Sequence, residues 1–343
     1  MRILLYNIFK IYIKTVFFFY SKKIVIKGKD NIPKTGAVLL TANHPNGLLD
    51  PILIASSIKR KTHFLVKADV FKNPKIATFF DWLGMMPVYR IRDGIRQITK
   101  NNQIFEQCRK LLKSERILLI FPEGSHAKKR TIRPLSKGFT RIVFGTLDEQ
   151  SDIDIHIVPI GITYQDSSVY PSGIALNIGQ PILVNDFYNP EKKFESTKKI
   201  KEEVAQQLQK LTVHIDDNDE FETVNNKLNN SIKDFTKVDE VNQIIQSKNY
   251  PESTKKPNKF SILKGLVIIN SFLPYFIWKK IDRKITEIEF KDTFRYVINS
   301  ITFPLFYFLQ SVLISYFFSW KVGVMYFLSS LVLVIILSKT SRI

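Results

Sequence analysis

Between residues 22 and 185, short β-branched apolar runs alternate with longer amphipathic segments, the pattern of an α/β domain. The runs predict strands over 37–42, 63–66, 86–89, 116–121, 156–163 and 174–178. The amphipathic stretches predict helices over 51–57, 74–83, 95–112 and 139–147. From residue 189 the chain turns polar and rich in Lys, Asn, Gln and Asp. An amphipathic helix is expected there over 204–213, more helix within 224–245, and a linker over 250–258. No internal repeat is evident.

The ends of the chain carry a different pattern. A stretch of 25 uncharged residues separates Arg295 from Lys321, and another of 17 separates Lys321 from Lys339. As helices these measure roughly 37 Å and 26 Å against a hydrocarbon layer of about 30 Å, so a transmembrane helical hairpin is expected near 296–338. The uncharged run over 265–278 is too short to span, and its Leu273-Pro274 step predicts a re-entrant or surface-lying helix. At the N-terminus Asn7, Lys10 and Lys14 share one helical face, with Leu4, Leu5, Phe9, Ile11 and Ile13 around the rest. This predicts an interfacial amphipathic helix rather than a span, because a lysine at the bilayer centre costs about 2.5–3.5 kcal/mol. Lysines interrupt its apolar stretch and no small-residue cleavage site follows, so a secretory signal is not expected. The predicted organisation is an interfacial helix over 1–21, the α/β domain over 22–188, a polar helical and linker region over 189–259, and a membrane-associated region over 260–343.

Charge narrows the class of partner. The 343 residues carry a formal net charge of +20, which calls for an anionic partner. Residues 1–29 hold seven basic groups and no acid, interleaved with Phe17, Phe18, Phe19 and Tyr20. Cations placed beside lipid-seeking segments favour anionic membrane lipid over nucleic acid. Lys279, Lys280, Arg283, Lys284, Lys291 and Arg295 precede the expected hairpin, Lys339 and Arg342 follow it, and Lys321 sits at its tip. Both ends are therefore expected on the cytoplasmic face, with the α/β domain. The lone Cys108 excludes a disulfide framework and a thiolate zinc cluster, and its neighbours Phe105, Leu111 and Leu112 predict core packing. His214 beside Asp216, Asp217, Asp219 and Glu220 reads as a solvated loop before a metal site, and no metal is expected.

The candidate chemistry begins at Asn43-His44-Pro45-Asn46-Gly47-Leu48-Leu49-Asp50, just after the apolar run Val38-Leu39-Leu40. An imidazole with an ordinary pKa of about 6.5 can take and return a proton near neutrality, and a nearby carboxylate can fix its tautomer. Alone, the pair has an equally good second reading. His44 is then a capping or core histidine, and Asp50, before Pro51, the N-cap of the helix that follows. The predicted strands place His44, Arg90 and Glu123 just beyond strand C-termini, where open α/β sheets gather ligands.

Three more segments follow in order: Leu83-Gly84-Met85-Met86-Pro87-Val88-Tyr89-Arg90, Leu119-Ile120-Phe121-Pro122-Glu123-Gly124, and Ile157-Val158-Pro159-Ile160-Gly161. Over roughly residues 22–185 the chain resembles the glycerolipid acyltransferase family, which acylates glycerol 3-phosphate, dihydroxyacetone phosphate and lysophosphatidate. Five residues separate His44 from Asp50 where the commonest family pattern has four; Asn46 and Leu48 match a branch with the longer spacing. Ser125 and His126 follow Gly124 directly, and that continuation leans toward the glycerol 3-phosphate or dihydroxyacetone phosphate branch. The resemblance implies a catalytic pair in His44 and Asp50. It implies acceptor-site roles for Asn43, Asn46, Arg90, Arg92, Glu123, Gly124 and Lys137, and an acyl-side role for Pro159. Lys137-Gly138 is a shortened form of the family's Leu-x-Lys-x-Gly.

Residue by residue, other readings stand beside these roles. Lys128, Lys129 and Arg133 read first as a solvated basic loop on anionic lipid, Glu123 has a second reading as a turn cap, and Pro159 and Gly161 read as shape determinants. The implied reaction is attack of an alcohol on an acyl thioester, with acyl-CoA or acyl carrier protein as co-substrate and no cofactor. The rival, prompted by the extra loop residue, is a decayed site that only binds lipid.

Overall fold

The structure is a computed structural model that describes residues 2–89, 101–167, 169–232, 234–252, 262–285 and 290–340. Its centre is an eight-stranded sheet built from β1 (Lys23–Lys27), β2 (Ala37–Ala42), β3 (Thr62–Lys67), β4 (Met85–Val88), β5 (Ile117–Ile120), β6 (Ile155–Tyr164), β7 (Gly173–Ile178) and β8 (Ile182–Leu183). The strand order is β1-β7-β6-β2-β5-β3-β4, with β8 beside β6. β2 runs parallel to both β5 and β6, whereas β6 meets β7 and β8 antiparallel, so the sheet is mixed. Every side chain of β2 is buried, as a parallel strand covered on both faces requires.

Alternate residues of the central strands feed two hydrophobic layers. Val38, Leu40, Leu119, Val158 and Ile160 pack beneath α1 (Arg2–Tyr20) and α2 (Leu49–Ser57). Leu39, Leu118 and Ile157 face α4 (Asn101–Lys113), α5 (Gly138–Glu149) and α6 (Lys193–Leu211). α3 (Pro74–Leu83) closes the β3–β4 crossover. Cys108 is fully buried in the second layer, where burial pushes its thiol up to about 12. α6 starts eleven residues before the helix expected at 204, because Ile200, Val204 and Leu208 give it an i, i+4 stripe inside a polar sequence. The helix expected within 224–245 is two, α7 (Phe221–Ser231) and α8 (Val238–Ser247), which share a third apolar cluster with Ala175 of β7. β1 and β8 were not anticipated: β1 is a half-buried edge strand framed by lysines, and β8 has two residues.

α1 differs from its expected orientation. Ile13, Phe17 and Tyr20 are buried against the domain while Leu4, Leu5, Ile8, Ile11 and Phe18 are exposed. Lys10 turns inward, its ammonium donating to the carbonyls of Ile58 and Lys59 at the end of α2. The outward face is therefore largely apolar, with Asn7 and Lys14 exposed among its apolar side chains. α9 (Ile262–Asn270) and α10 (Phe272–Asp282) meet at 95°. The bend falls at Ser271, not at Leu273-Pro274, because Pro274 sits in the first turn of α10, where a missing N–H costs nothing. α11 (Lys291–Phe317) and α12 (Trp320–Thr340) form an antiparallel pair, each long and apolar enough to cross a membrane. Both free ends of the pair return to the domain: Thr293 bonds to Asn46, and the Lys339 ammonium donates to the carbonyls of Phe18 and Ser21 at 2.6 and 2.7 Å.

Pro159 and Gly161 are both buried in β6. The Pro159 carbonyl accepts from Gly179 N at 2.8 Å, so its nitrogen faces the seam where β8 gives way to β7, and the ladder to β2 is spared. A Cβ on Gly161 would lie 2.3 Å from the Leu211 carbonyl oxygen at the end of α6. Gly161→Ala is expected to force α6 off the sheet and destabilise the protein by about 1–3 kcal/mol or more, read as a lowered thermal unfolding midpoint. An unchanged midpoint would contradict this packing.

Candidate active site

β2 delivers the chain to the sheet edge, and there it turns sharply from Asn43 to Leu48 before α2 begins. The Asn43 side chain fixes the start of the turn. It donates from Nδ2 to Ile162 O at 2.9 Å and accepts from Ile162 N at 2.7 Å, two bonds that tie the loop to β6. Asn43 is thus occupied by backbone. Asn46 is fully buried; its Oδ1 accepts from Leu48 N at 3.3 Å and Leu49 N at 3.1 Å, capping α2 from within the loop. The N-cap is Leu48, and Asp50 is the second residue of the helix, not its cap as the alternative reading of the sequence had it.

Asp50 has no exposed surface. Its Oδ2 lies 2.9 Å from His44 Nδ1 and accepts from Asn46 N at 2.7 Å, while its Oδ1 accepts from the Tyr164 hydroxyl at 2.8 Å. Burial pushes this carboxyl above the usual carboxylate range, and the bonds from His44, Asn46 and Tyr164 pull the other way. Burial and the adjacent carboxylate raise the Tyr164 phenol well above its ordinary value, so it remains a donor. His44 stacks on Phe121 with ring centroids 3.9 Å apart, and His126 meets it edge-on at 5.8 Å. With Nδ1 engaged by Asp50, Nε2 is the nitrogen left for a substrate proton.

The loop after β5 forms the adjoining wall. Ala127 N donates to His44 O at 2.9 Å, which binds this loop to the first. Glu123 accepts from Arg133 twice, from the backbone N–H at 3.1 Å and from Nη2 at 2.8 Å, and Arg133 Nη1 donates to Ser125 Oγ at 2.7 Å. Arg133 is accordingly a held guanidinium rather than a solvated loop cation. Glu123 serves it as a clamp instead of capping a turn. Gly124 has φ of +74°, a left-handed conformation natural to glycine. Lys129 is exposed, as the solvated reading has it, and pairs with Asp217 at the surface, its ammonium 4.3 Å from the Phe221 ring centroid. Arg130 donates to Asn225, Asn229 and the Gln165 carbonyl and stacks on Phe235 at 3.9 Å. Burial lowers its pKa to about 10, so it stays charged as the anchor of α7.

Other sequence-predicted residues lie apart. Lys137 is exposed at the start of α5 with its ammonium 5.7 Å from the Phe194 ring; among the described residues it makes no bond to the His44–Asp50 or Glu123–Arg133 groups. Pro159 faces the strand seam. Arg90 and Arg92 lie outside the described residues. No group of three or more His, Cys, Asp or Glu among the described residues is placed to hold a metal ion.

The sequence reading missed Tyr164, Phe290 and Thr293. Tyr164 ends β6, whose parallel pairing with β2 puts the C-terminal ends of both strands together. Phe290 and Thr293 belong to the root of α11, some 250 residues away in sequence, and nothing local signals their arrival. A cavity of 2620 Å³ opens beside the His44–Asp50 loop between the domain, α7 and the C-terminal helices. It touches Asn43 and Pro45, which flank His44, but not the ring itself.

The acyltransferase family model matches residues 23–163. Glycerol-3-phosphate O-acyltransferase 1 of Saccharomyces cerevisiae is 27% identical over 134 residues, covering 38% of this chain and 17% of that protein. A 1-acyl-sn-glycerol-3-phosphate acyltransferase of Borreliella burgdorferi is 23% identical over 163 residues, covering 48% of this chain and 60% of the relative. Both matches thus span less than two thirds of the relative's own length. The crystal structure of the 1-acyl-sn-glycerophosphate acyltransferase of Thermotoga maritima aligns with a TM-score of 0.44 at 20% identity, over 60% of this chain and 78% of that one. The matched domain at residues 23–163, similar to the acyltransferase family, contains β2, the His44–Asp50 loop and the Glu123 turn.

Proposed function

We propose that this protein is a membrane-bound O-acyltransferase that moves a fatty acyl group from acyl-CoA or acyl carrier protein to a hydroxyl of glycerol 3-phosphate or 1-acylglycerol 3-phosphate. The observation that carries the reading is the 2.9 Å contact between His44 Nδ1 and a wholly buried Asp50 carboxylate. In the reaction Nε2 takes the hydroxyl proton as the alcohol oxygen bonds to the thioester carbonyl carbon. The C–S bond then breaks, and the imidazolium returns the proton to the departing thiolate. Asp50 stabilises that imidazolium. The chemistry needs neither a metal nor a prosthetic group.

The Arg133 guanidinium, oriented by Glu123 and Ser125, is the described cation best held for an acceptor phosphate, with Arg90 and Arg92 as further candidates. The cavity beside the loop suits an amphiphile: Lys128 and Arg130 line one side, Val267, Phe303 and Leu337 another. The extra residue between His44 and Asp50 was the ground for a decayed, merely lipid-binding site. The dyad contact speaks against it.

The largely apolar outer face of α1, with the exposed Lys14 cation on it, and the α11–α12 pair favour anchoring in an anionic bilayer. Basic flanks at both ends of the hairpin favour a cytoplasmic catalytic domain.

Assayed in detergent with acyl-CoA, acyl carrier protein and a set of acceptors, the full chain is expected to form acylated glycerol phosphate, and His44→Ala to lose about a hundredfold or more. Undiminished turnover in His44→Ala would remove the proposed base. Tyr164→Phe deletes a donor that favours ionised Asp50, so the carboxyl pKa rises further. The acid limb of the pH–rate profile should therefore move up by about one unit or more, since a hydrogen bond to a charged group is worth about 1.5–3 kcal/mol. A limb that stays in place, or moves down, would show that Tyr164 does not tune the pair.

A further inference from the structure

We infer that Thr293, at the root of the C-terminal hairpin, is a positioning residue for the catalytic loop, so that a membrane helix completes the site formed by the α/β domain. The inference rests on the proposed role of His44 and extends it to a part of the chain outside the matched family domain. The Thr293 hydroxyl donates to Asn46 Oδ1 at 3.0 Å. That oxygen already accepts from Leu48 N and Leu49 N, so the amide can present only its oxygen here, and the threonine can only donate. The Asn46 backbone N–H in turn holds Asp50 Oδ2, the oxygen that faces His44 Nδ1. One side chain of α11 thus fixes the residue whose backbone fixes the carboxylate.

A second contact presses on the same loop. The Phe290 ring lies 3.4 Å from the position a Cβ would take on Gly47, and its centroid is 5.0 Å from that of His126, which is edge-on to His44. Phe290 and Thr293 lie three residues apart and approach the turn together. Five residues between His44 and Asp50 make a roomier turn than four, and Asn46 Nδ2 is buried with no hydrogen-bond partner among the described residues, so the described loop does not satisfy itself. The root of the hairpin supplies the restraint the longer turn lacks. Below it, Asp292 accepts from the Tyr20 hydroxyl and Tyr296 donates to Ile13 O at 3.3 Å, which seats this end of α11 against α1.

The test compares full-length wild type, Thr293→Val and Thr293→Ser in one detergent. It measures acyl transfer and the histidine ring signals of protein labelled with ¹⁵N only at its five histidines, assigned through His44→Gln. Among the described residues, the titratable groups recorded about the His44 ring are Asp50 from α2, Tyr164 from β6 through Asp50, and His126 from the loop after β5. Thr293→Val should lower kcat about three- to tenfold, the worth of one hydrogen bond, with KM for donor and acceptor within about twofold. It should also shift the His44 signal, and Thr293→Ser should restore both. Wild-type kcat together with an unmoved His44 signal in Thr293→Val would overturn the inference. So would a Thr293→Ser variant as impaired as the valine, because a hydroxyl would then not be what matters. If no acceptor is acylated by wild type but the His44 signal moves in the valine variant and returns in the serine variant, the positioning role stands and the proposed activity falls.

Discussion

A carboxylate cut off from water holds one imidazole in place, and most of the molecule around it serves to keep that arrangement closed. Buried without partners, Asp50 would take up a proton and lose its grip on His44. Three donors prevent this: the imidazole, the Asn46 backbone and the Tyr164 phenol. Each comes from a different local constraint, namely the end of β2, the turn before α2 and the end of β6. The parallel register of β2 with β6 is what makes them meet.

The same logic extends outward. Asn43 ties the loop to β6, Ala127 ties the neighbouring loop to His44, and Phe121 supports the face of the ring. The Glu123–Arg133 pair then holds a guanidinium fixed in the loop that follows β5. The C-terminal hairpin returns one end to this loop, at Asn46, and the other to the end of α1, at Ser21. A helix long and apolar enough to cross a membrane is therefore joined to the His44–Asp50 loop at Asn46.

Much of this was legible in the sequence where local pattern and local chemistry coincide. β2 and α3 occupy the stretches their apolar patterns predicted, and His44 and Asp50 meet despite the longer spacing between them. What escaped is what depends on long-range packing. α6 hid its stripe in polar composition, β1 was concealed by flanking lysines, and Lys10 turned from the outer face to the end of α2. Arg133 looked like one solvated loop cation beside Lys128 and Lys129, because the partner that holds it lies across a turn no pattern describes. Tyr164 and Thr293 could be found only by knowing which strand ends and helix roots converge. Lys137 shows the converse: a motif-like lysine whose helix carries it toward Phe194.

The most direct test of the central claim is the activity of Asp50→Asn, which keeps the side chain's size but removes the charge that stabilises the imidazolium. With folding checked by its thermal midpoint, the variant should bind donor and acceptor with near-normal KM while kcat falls at least about a hundredfold. Wild-type kcat in a folded Asp50→Asn protein would mean that the buried carboxylate does not drive the chemistry.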